Sequence, residues 1–151
     1  MKVRQANKFD LPYFINLVHK IHKKKEIGIF DVELNDEYLN VLFVTAINGG
    51  GTVLIVENDE PIGLMMGLIS PNVWSEKTLL MNEILWYVEE EYRNTRAGYL
   101  LLKKYQEICE KLIDEKRIKF HTISTAKTMF DIDFTRFGYD RVTETWINVE
   151  E

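Results

Sequence analysis

The chain of 151 residues, 46% hydrophobic and 28% charged, has the size of one ordinary domain and enough apolar residues for a core that needs no covalent staple. Acidic residues outnumber basic ones, 24 to 19, for a formal charge of −5, which repels a nucleic-acid backbone and favours a cationic or amine-bearing partner. A single cysteine, Cys109, makes no internal disulfide and offers no metal-ligand cluster. The charged start, MKVRQANKFD, lacks the apolar core of a secretory signal, and no apolar run approaches the ~18 residues of a membrane span. The expectation is one cytoplasmic domain over residues 1–151, with no nucleic acid, membrane or metal among its partners.

No repeat or low-complexity linker interrupts the chain. Met1 to Ala6 reads as a short strand, and Leu11, Phe14, Val18 and Ile21 then recur at helical spacing, with Asp10 as N-cap and Pro12 in the first turn. Asn35 caps a second predicted helix lined by Leu39, Leu42, Phe43 and Ala46 and stopped by Gly49-Gly50-Gly51. Thr52 to Val56 and Ile62 to Ile69 are β-rich runs around the turn-forming Glu57 to Pro61, which predicts an antiparallel hairpin. Pro71 to Lys77 reads as a surface loop.

Leu79 to Val88 reads as a strand with Ile84, Trp86 and Val88 on one face and Glu83, Leu85 and Tyr87 on the other. A polar turn, Glu89 to Thr95, feeds a helical stripe of Leu101, Tyr105, Ile108 and Leu112, followed by a strand over Ile118 to Ser124. This β-α-β unit places the turn after Val88 at the carboxyl edge of a sheet, where α/β proteins bind ligands. A last helix holding Phe130, Phe134 and Phe137 and stopped by Gly138, then a strand from Arg141 to Val149, completes the order β-α-α-β-β-β-α-β-α-β. The fold class is α/β with a mixed sheet.

The turn from Arg93 to Gly98 opens directly into a helix, whose first N–H groups have no intrahelical acceptor and whose dipole is positive there. Such a terminus accepts a phosphate, with Arg93 and Arg96 adding charge and Gly98 allowing close approach. On local physics a second reading stands beside it: Gly98 serves tight packing, and the arginines pair with Glu89, Glu90 and Glu91.

The run Tyr92-Arg93-Asn94-Thr95-Arg96-Ala97-Gly98 resembles the acetyl-CoA pyrophosphate motif of the GNAT superfamily of acetyltransferases: Arg or Gln, two residues, Gly, one residue, then Gly or Ala. Arg93 and Gly98 match; Arg96 stands where the first glycine is usual. Small phage and bacterial branches use an Arg-Ala-Gly ending like Arg96-Ala97-Gly98, and Phe137-Gly138-Tyr139 resembles a glycine turn near the family's C-terminus. The resemblance spans essentially the whole chain and its element order.

It implies that acetyl-CoA is the co-substrate. Its pantetheine arm would lie between two splayed parallel strands, here Leu79 to Val88 and Ile118 to Ser124, held by backbone groups around Tyr87 and Val88. The N–H groups from Asn94 through Arg96, Ala97 and Gly98 to Tyr99 would hold the pyrophosphate. A primary amine of a small molecule or a protein would attack the thioester directly, over the sheet beside the first two helices and the loop carrying Trp74. Glu83 stands where the family often carries a catalytic glutamate and is the first choice for base; a salt-bridged or solvated glutamate is the alternative. The family's acid tyrosine falls at Phe134, which has no proton to give, so Tyr139 or Tyr87 would substitute. Homodimers are common in the family. A non-catalytic acyl-CoA-binding or protein-interaction module on the same fold is the alternative function.

Other tempting residues have plainer readings. Cys109 sits mid-helix beside an apolar stripe, where cysteine packs as a small hydrophobe. His19 and His22 are three apart, His121 stands alone, and none is assigned a metal. Lys23-Lys24-Lys25 reads as a solvated helix end.

Overall fold

The computed structural model describes residues 1–24, 32–125, 132–146 and 148. Five strands form one sheet in sequence order: β1 (Lys2–Gln5), β2 (Gly51–Asn58), β3 (Glu60–Asn72), β4 (Ser75–Val88) and β5 (Phe120–Thr122). The first four pair antiparallel, whereas β5 runs parallel to β4. Helices α1 (Leu11–Lys24) and α2 (Asp36–Thr45) cover one face, and α3 (Ala97–Asp114) covers the other.

Both faces carry a core, which is why the central strands read as unbroken apolar runs rather than alternating ones. On the first face, Phe14, Leu17 and Ile21 of α1 and Phe43 of α2 bury against Val53, Ile55, Leu64, Met66, Leu85 and Tyr87. On the second, Leu101, Leu102, Tyr105 and Cys109 of α3 bury against Leu54, Val56, Met65, Met81 and Val88. The β1 edge is fixed by charge: Arg4 donates to both carboxylate oxygens of Asp10, at 2.7 and 2.8 Å, and to Glu57 at 2.5 Å. The Arg4 bonds hold the Asp10 carboxyl below its ordinary pKa.

Several sequence expectations need correction. Asp10 does not cap α1. A short 3₁₀ turn over Lys8–Asp10 precedes the helix, with Asn7 as its cap: Asn7 Oδ1 accepts the Phe9 N–H, and the Asp10 carboxylate accepts the N–H of Asn7. The predicted loop at Pro71–Lys77 is mostly strand, since β3 and β4 extend to a tight turn at Val73-Trp74. The predicted final helix is, over its described part, a four-residue 3₁₀ turn, Phe134–Phe137, ended by Gly138 at φ 84°. Asp133 caps it so close to Gly138 that no α-helix can develop between them. Phe130 lies outside the described residues. The predicted last strand is not formed over 141–146, where Val142 and Trp146 are exposed and no strand pairs with them among the described residues. Positions 147 and 149 lie outside the described residues.

One irregularity matters most for the site. Between β3 and β4 the register passes from Met66 opposite Leu85 to Gly67 opposite Glu83, leaving Ile84 as an extra, unpaired residue. A bulge of one residue exchanges the faces of everything beyond it. Leu85 and Tyr87 therefore point toward α1 and α2, while Met81, and Glu83 two residues on, point toward α3. The expected sharing of one face by Glu83 and Tyr87 is overturned by this bulge.

Candidate active site

β4 and β5 pair only through Leu80, Met81 and Asn82 opposite Phe120, His121 and Thr122. Past that point they part. Tyr105 donates from its hydroxyl to the Thr122 carbonyl at 3.1 Å, tying the end of β5 to α3, and Thr122 Oγ1 donates to Asn82 Oδ1 at 3.1 Å. At the head of the parting lies Glu83, 7% exposed, whose carboxylate accepts the N–H of Ser124 at 3.0 Å. Burial raises its pKa from 4.5 to about 7, against the lowering effect of that N–H. The side chain is therefore poised between acid and carboxylate near neutral pH, as a general base requires.

Tyr139 reaches the same α3-facing side from the C-terminal segment. Its ring meets Phe134 and His121 edge-on, and its hydroxyl lies 3.0 Å from His121 Nδ1. Burial raises the phenol pKa, with Cys109, Glu110 and, least, Glu83 adding to the rise and a side-chain hydrogen bond from Gln106 opposing it. The phenol stays protonated at neutral pH. Phe134 contributes packing against Trp86 and Tyr139.

The loop after Val88 is braced rather than loose. Arg93 donates from Nε to the Val88 carbonyl at 2.9 Å and lays its guanidinium over the Tyr87 ring. The side chain of Tyr87 thus belongs to the brace on the α1 face, away from Glu83 and Tyr139. Lys20 and Lys24 of α1 reach Glu89 and Glu90, tying the loop to that helix. A pair of lysines four residues apart, opposite an acidic run, was a signal for this tie that sequence reasoning did not use.

Beyond the brace, Asn94, Thr95 and Arg96 are exposed, and Arg96, at the N-cap of α3, makes no capping bond. Thr95 Oγ1 accepts the Ala97 N–H at 3.2 Å, while the first backbone bond along the helix is from Leu100 to Arg96. The N–H groups of Gly98 and Tyr99 lie ahead of it. At Gly98 a Cβ would stand 3.7–3.9 Å from Trp86 and Val88, ordinary contact distances. The protein's own packing does not require glycine there, so the tight-packing reading of Gly98 loses its support.

The remaining candidates fall elsewhere. Trp74, expected beside the amine pocket, is 90% exposed at the tip of the β3–β4 hairpin. His19 lies 2.6 Å from Asp36, and His22 lies 2.7 Å from the Val32 carbonyl. Cys109 is fully buried, and burial pushes its thiol up to about 12, which removes it as a nucleophile. Two shallow depressions of about 420 and 400 Å³ lie beside Lys116 and Arg117, at the other end of α3. Among the described residues no group of His, Cys, Asp and Glu is arranged to hold a metal, and no helix is long and apolar enough to cross a membrane.

Comparison with known proteins bears directly on this arrangement. The family model for the Acetyltransferase (GNAT) family matches residues 15–139. Among solved structures, a predicted acetyltransferase from Clostridium acetobutylicum with acetyl-CoA superposes with a TM-score of 0.71 at 15% identity, covering 99% of this chain and 95% of the other. An aminoglycoside acetyltransferase from an uncultured soil metagenomic sample, in complex with sisomicin, gives 0.63 at 18% identity, covering 99% and 96%. A possible acetyltransferase from Clostridium difficile 630 gives 0.67 at 17% identity, covering 99% and 96%. The search of curated proteins gives no match. With its mixed five-stranded sheet, its parted parallel strands and a family match over most of its length, the chain belongs to the GNAT acetyltransferase family.

Proposed function

We propose that the protein moves an acetyl group from acetyl-CoA to a primary amine of a small molecule or a protein by direct attack. The observation that carries this reading is Glu83, a carboxyl buried where β4 and β5 part, with its pKa raised to about 7. An amine binds mostly as the ammonium ion, and it becomes a nucleophile only after losing a proton to a base of this kind. The amine nitrogen then bonds to the thioester carbon and gives up its second proton to water, the carbon–sulfur bond breaks, and the leaving thiolate takes a proton from Tyr139. Holding the two reactants in line supplies much of the acceleration.

In this reading the start of α3, from Arg96 through Gly98 to Tyr99, receives the pyrophosphate, and the edge of β4 approaching Val88, unpaired among the described residues, receives the pantetheine arm. The acetyl-CoA in one related structure and the sisomicin in an aminoglycoside acetyltransferase support acetyl-CoA as co-substrate and a small-molecule acceptor respectively. A non-catalytic acyl-CoA-binding module is the second reading, favoured by Phe134, which packs where the family places a proton donor. Calorimetric titration with acetyl-CoA and coenzyme A, repeated on Arg93→Ala and Gly98→Trp, tests the cofactor site. An amine screen with Glu83→Gln as control then separates the readings. Saturable binding lost in both loop variants, with turnover abolished in Glu83→Gln, is the expected result; no binding by the intact chain rejects both readings, and binding without turnover leaves the module.

A further inference from the structure

His121 was solitary in the sequence, yet the fold gives it one specific polar contact. It stands on β5 opposite Met81, half-buried, with its ring edge-on to Tyr105 and perpendicular to Tyr139. The nitrogen nearest the Tyr139 hydroxyl is Nδ1, at 3.0 Å. Burial lowers the imidazole pKa, with the charge of Glu110 on α3 opposing, so the ring is neutral at pH 7 and carries one N–H. Tyr105 and Cys109, the other ionisable groups of α3 near this pair, both have raised pKa values through burial and stay neutral. At Tyr139 the charges of Glu110 and of Glu83 on β4 are also felt, and a side-chain hydrogen bond from Gln106 opposes them.

A phenol has a single proton, and a neutral imidazole a single N–H, so the 3.0 Å contact is made in one of two ways. If Nδ1 is bare, the phenol proton is committed to it and faces away from any leaving group. If Nδ1 carries the hydrogen, it donates to the phenol oxygen and leaves the O–H free to turn outward. We propose that His121 is a positioning residue for Tyr139, its Nδ1–H donating to the phenol oxygen so that the phenol proton is directed to the departing thiolate. The step balances: the carbon–sulfur bond breaks, sulfur takes the phenol proton, and the phenolate is held by the Nδ1–H until solvent restores its proton. This inference rests on the reading of Tyr139 as the acid.

The tautomer can be read without knowing the amine. Long-range nitrogen–proton correlation spectra of ¹⁵N-labelled full-length protein at pH 7.5 distinguish Nδ1–H from Nε2–H imidazoles, and His121→Phe, which keeps a ring in place, assigns the signal among the three histidines. The Nδ1–H form is expected in the wild type and a changed tautomer balance in Tyr139→Phe. A wild-type Nε2–H tautomer overturns the proposal whatever the enzyme's activity. With the best acceptor from the amine screen, Tyr139→Phe is expected to lower kcat by about a hundredfold, and His121→Phe by roughly tenfold with KM for acetyl-CoA little changed. Adding His121→Phe to Tyr139→Phe is expected to cost nothing more; a further loss would show that His121 acts elsewhere. Unchanged turnover in Tyr139→Phe removes the acid reading itself, and calorimetric binding of acetyl-CoA by that variant shows separately whether the cofactor site stands.

Discussion

Replacing Glu83 by Gln keeps its shape and removes its charge, so the variant isolates what the buried carboxyl costs the fold. In the folded chain the group titrates near 7 instead of 4.5, which makes its ionisation costlier by about 3 kcal/mol at about 1.4 kcal/mol per pKa unit. The folded state therefore holds a proton that the unfolded chain releases between pH 4.5 and 7, and stability falls as pH rises through that window. Above pH 7 the full penalty applies; Gln never meets it. The stability of Glu83→Gln relative to wild type should rise by about 2.5 kcal/mol between pH 5 and pH 8, the part of the linkage integral inside that interval. Comparing two pH values cancels the constant change in the bond to the Ser124 N–H. Urea unfolding followed by tryptophan fluorescence at both pH values reads the difference. A gap that stays constant within about 0.5 kcal/mol, the usual scatter of surface substitutions, would mean that Glu83 is effectively solvated, and its assignment as a tuned base would fall. The same variant should lose activity by about 10²–10⁴-fold, along with the rise in rate through pH 7 that is expected of the wild type.

Gly98→Ala separates folding from binding: its Cβ fits at 3.7 Å from Trp86, so unfolding stability should hold or rise by about 0.5–1 kcal/mol, while calorimetric affinity for acetyl-CoA falls. Arg93→Ala removes the bond to the Val88 carbonyl and the contact with the Tyr87 ring; a stability loss of about 1–2 kcal/mol accompanied by weaker cofactor binding is expected, and an unchanged affinity would show that the brace does not shape the site. Gly67→Ala would put a methyl 2.8 Å from Met81 Sδ and 2.9 Å from the Tyr105 ring, costing about 1–3 kcal/mol in denaturant titration. Asn35→Ala deletes the side-chain bond to the Tyr38 N–H, worth about 1 kcal/mol, and should leave acetyl-CoA binding intact.

The antiparallel hairpin, the cap of α2 and the β-α-β unit were legible because local chemistry decides them: Asn35 can serve its own helix, and Gly49 takes the positive φ of 99° that ends the next turn. The turn from Arg93 that opens into α3 was legible for the same reason, being a continuous run of sequence. The faces of β4 were not. Alternation places Glu83 with Tyr87, and nothing within the strand announces that Ile84 will be skipped; the bulge is a property of the pairing with β3, where Gly67 lets Tyr105 and Met81 close in. The Tyr139 to His121 contact was hidden likewise, since 18 residues separate the partners. At the C-terminus the pattern overreached: Val142 and Trp146 have strand-forming side chains, but β propensity counts only where a neighbouring strand supplies hydrogen bonds and packing, and no strand pairs with 141–146 among the described residues.

The spacing of the proposed site along β4 constrains what it can bind. Glu83 and Val88 are five residues apart on one strand, about 16 Å at 3.3 Å per residue and somewhat less across the bulge. Phosphate binding at the start of α3, just past Val88, therefore cannot by itself deliver a reacting carbonyl to Glu83. In the proposed reading the ligand extends along the edge of β4 that, among the described residues, lacks a strand partner beyond Asn82. An anion with a long, narrow arm that has amide groups for that edge and a thioester at its end satisfies all three requirements, and a compact nucleotide satisfies only the first. The bulge completes the arrangement. By turning Glu83 to the α3 side it places the proposed base on the face that Tyr139 and His121 reach, and it leaves Tyr87 on the opposite face to support Arg93 and the loop. A variant that restored regular pairing at Ile84 would send the carboxylate to the wrong side of the sheet while leaving the cofactor loop in place, so acetyl-CoA binding should survive and transfer should not.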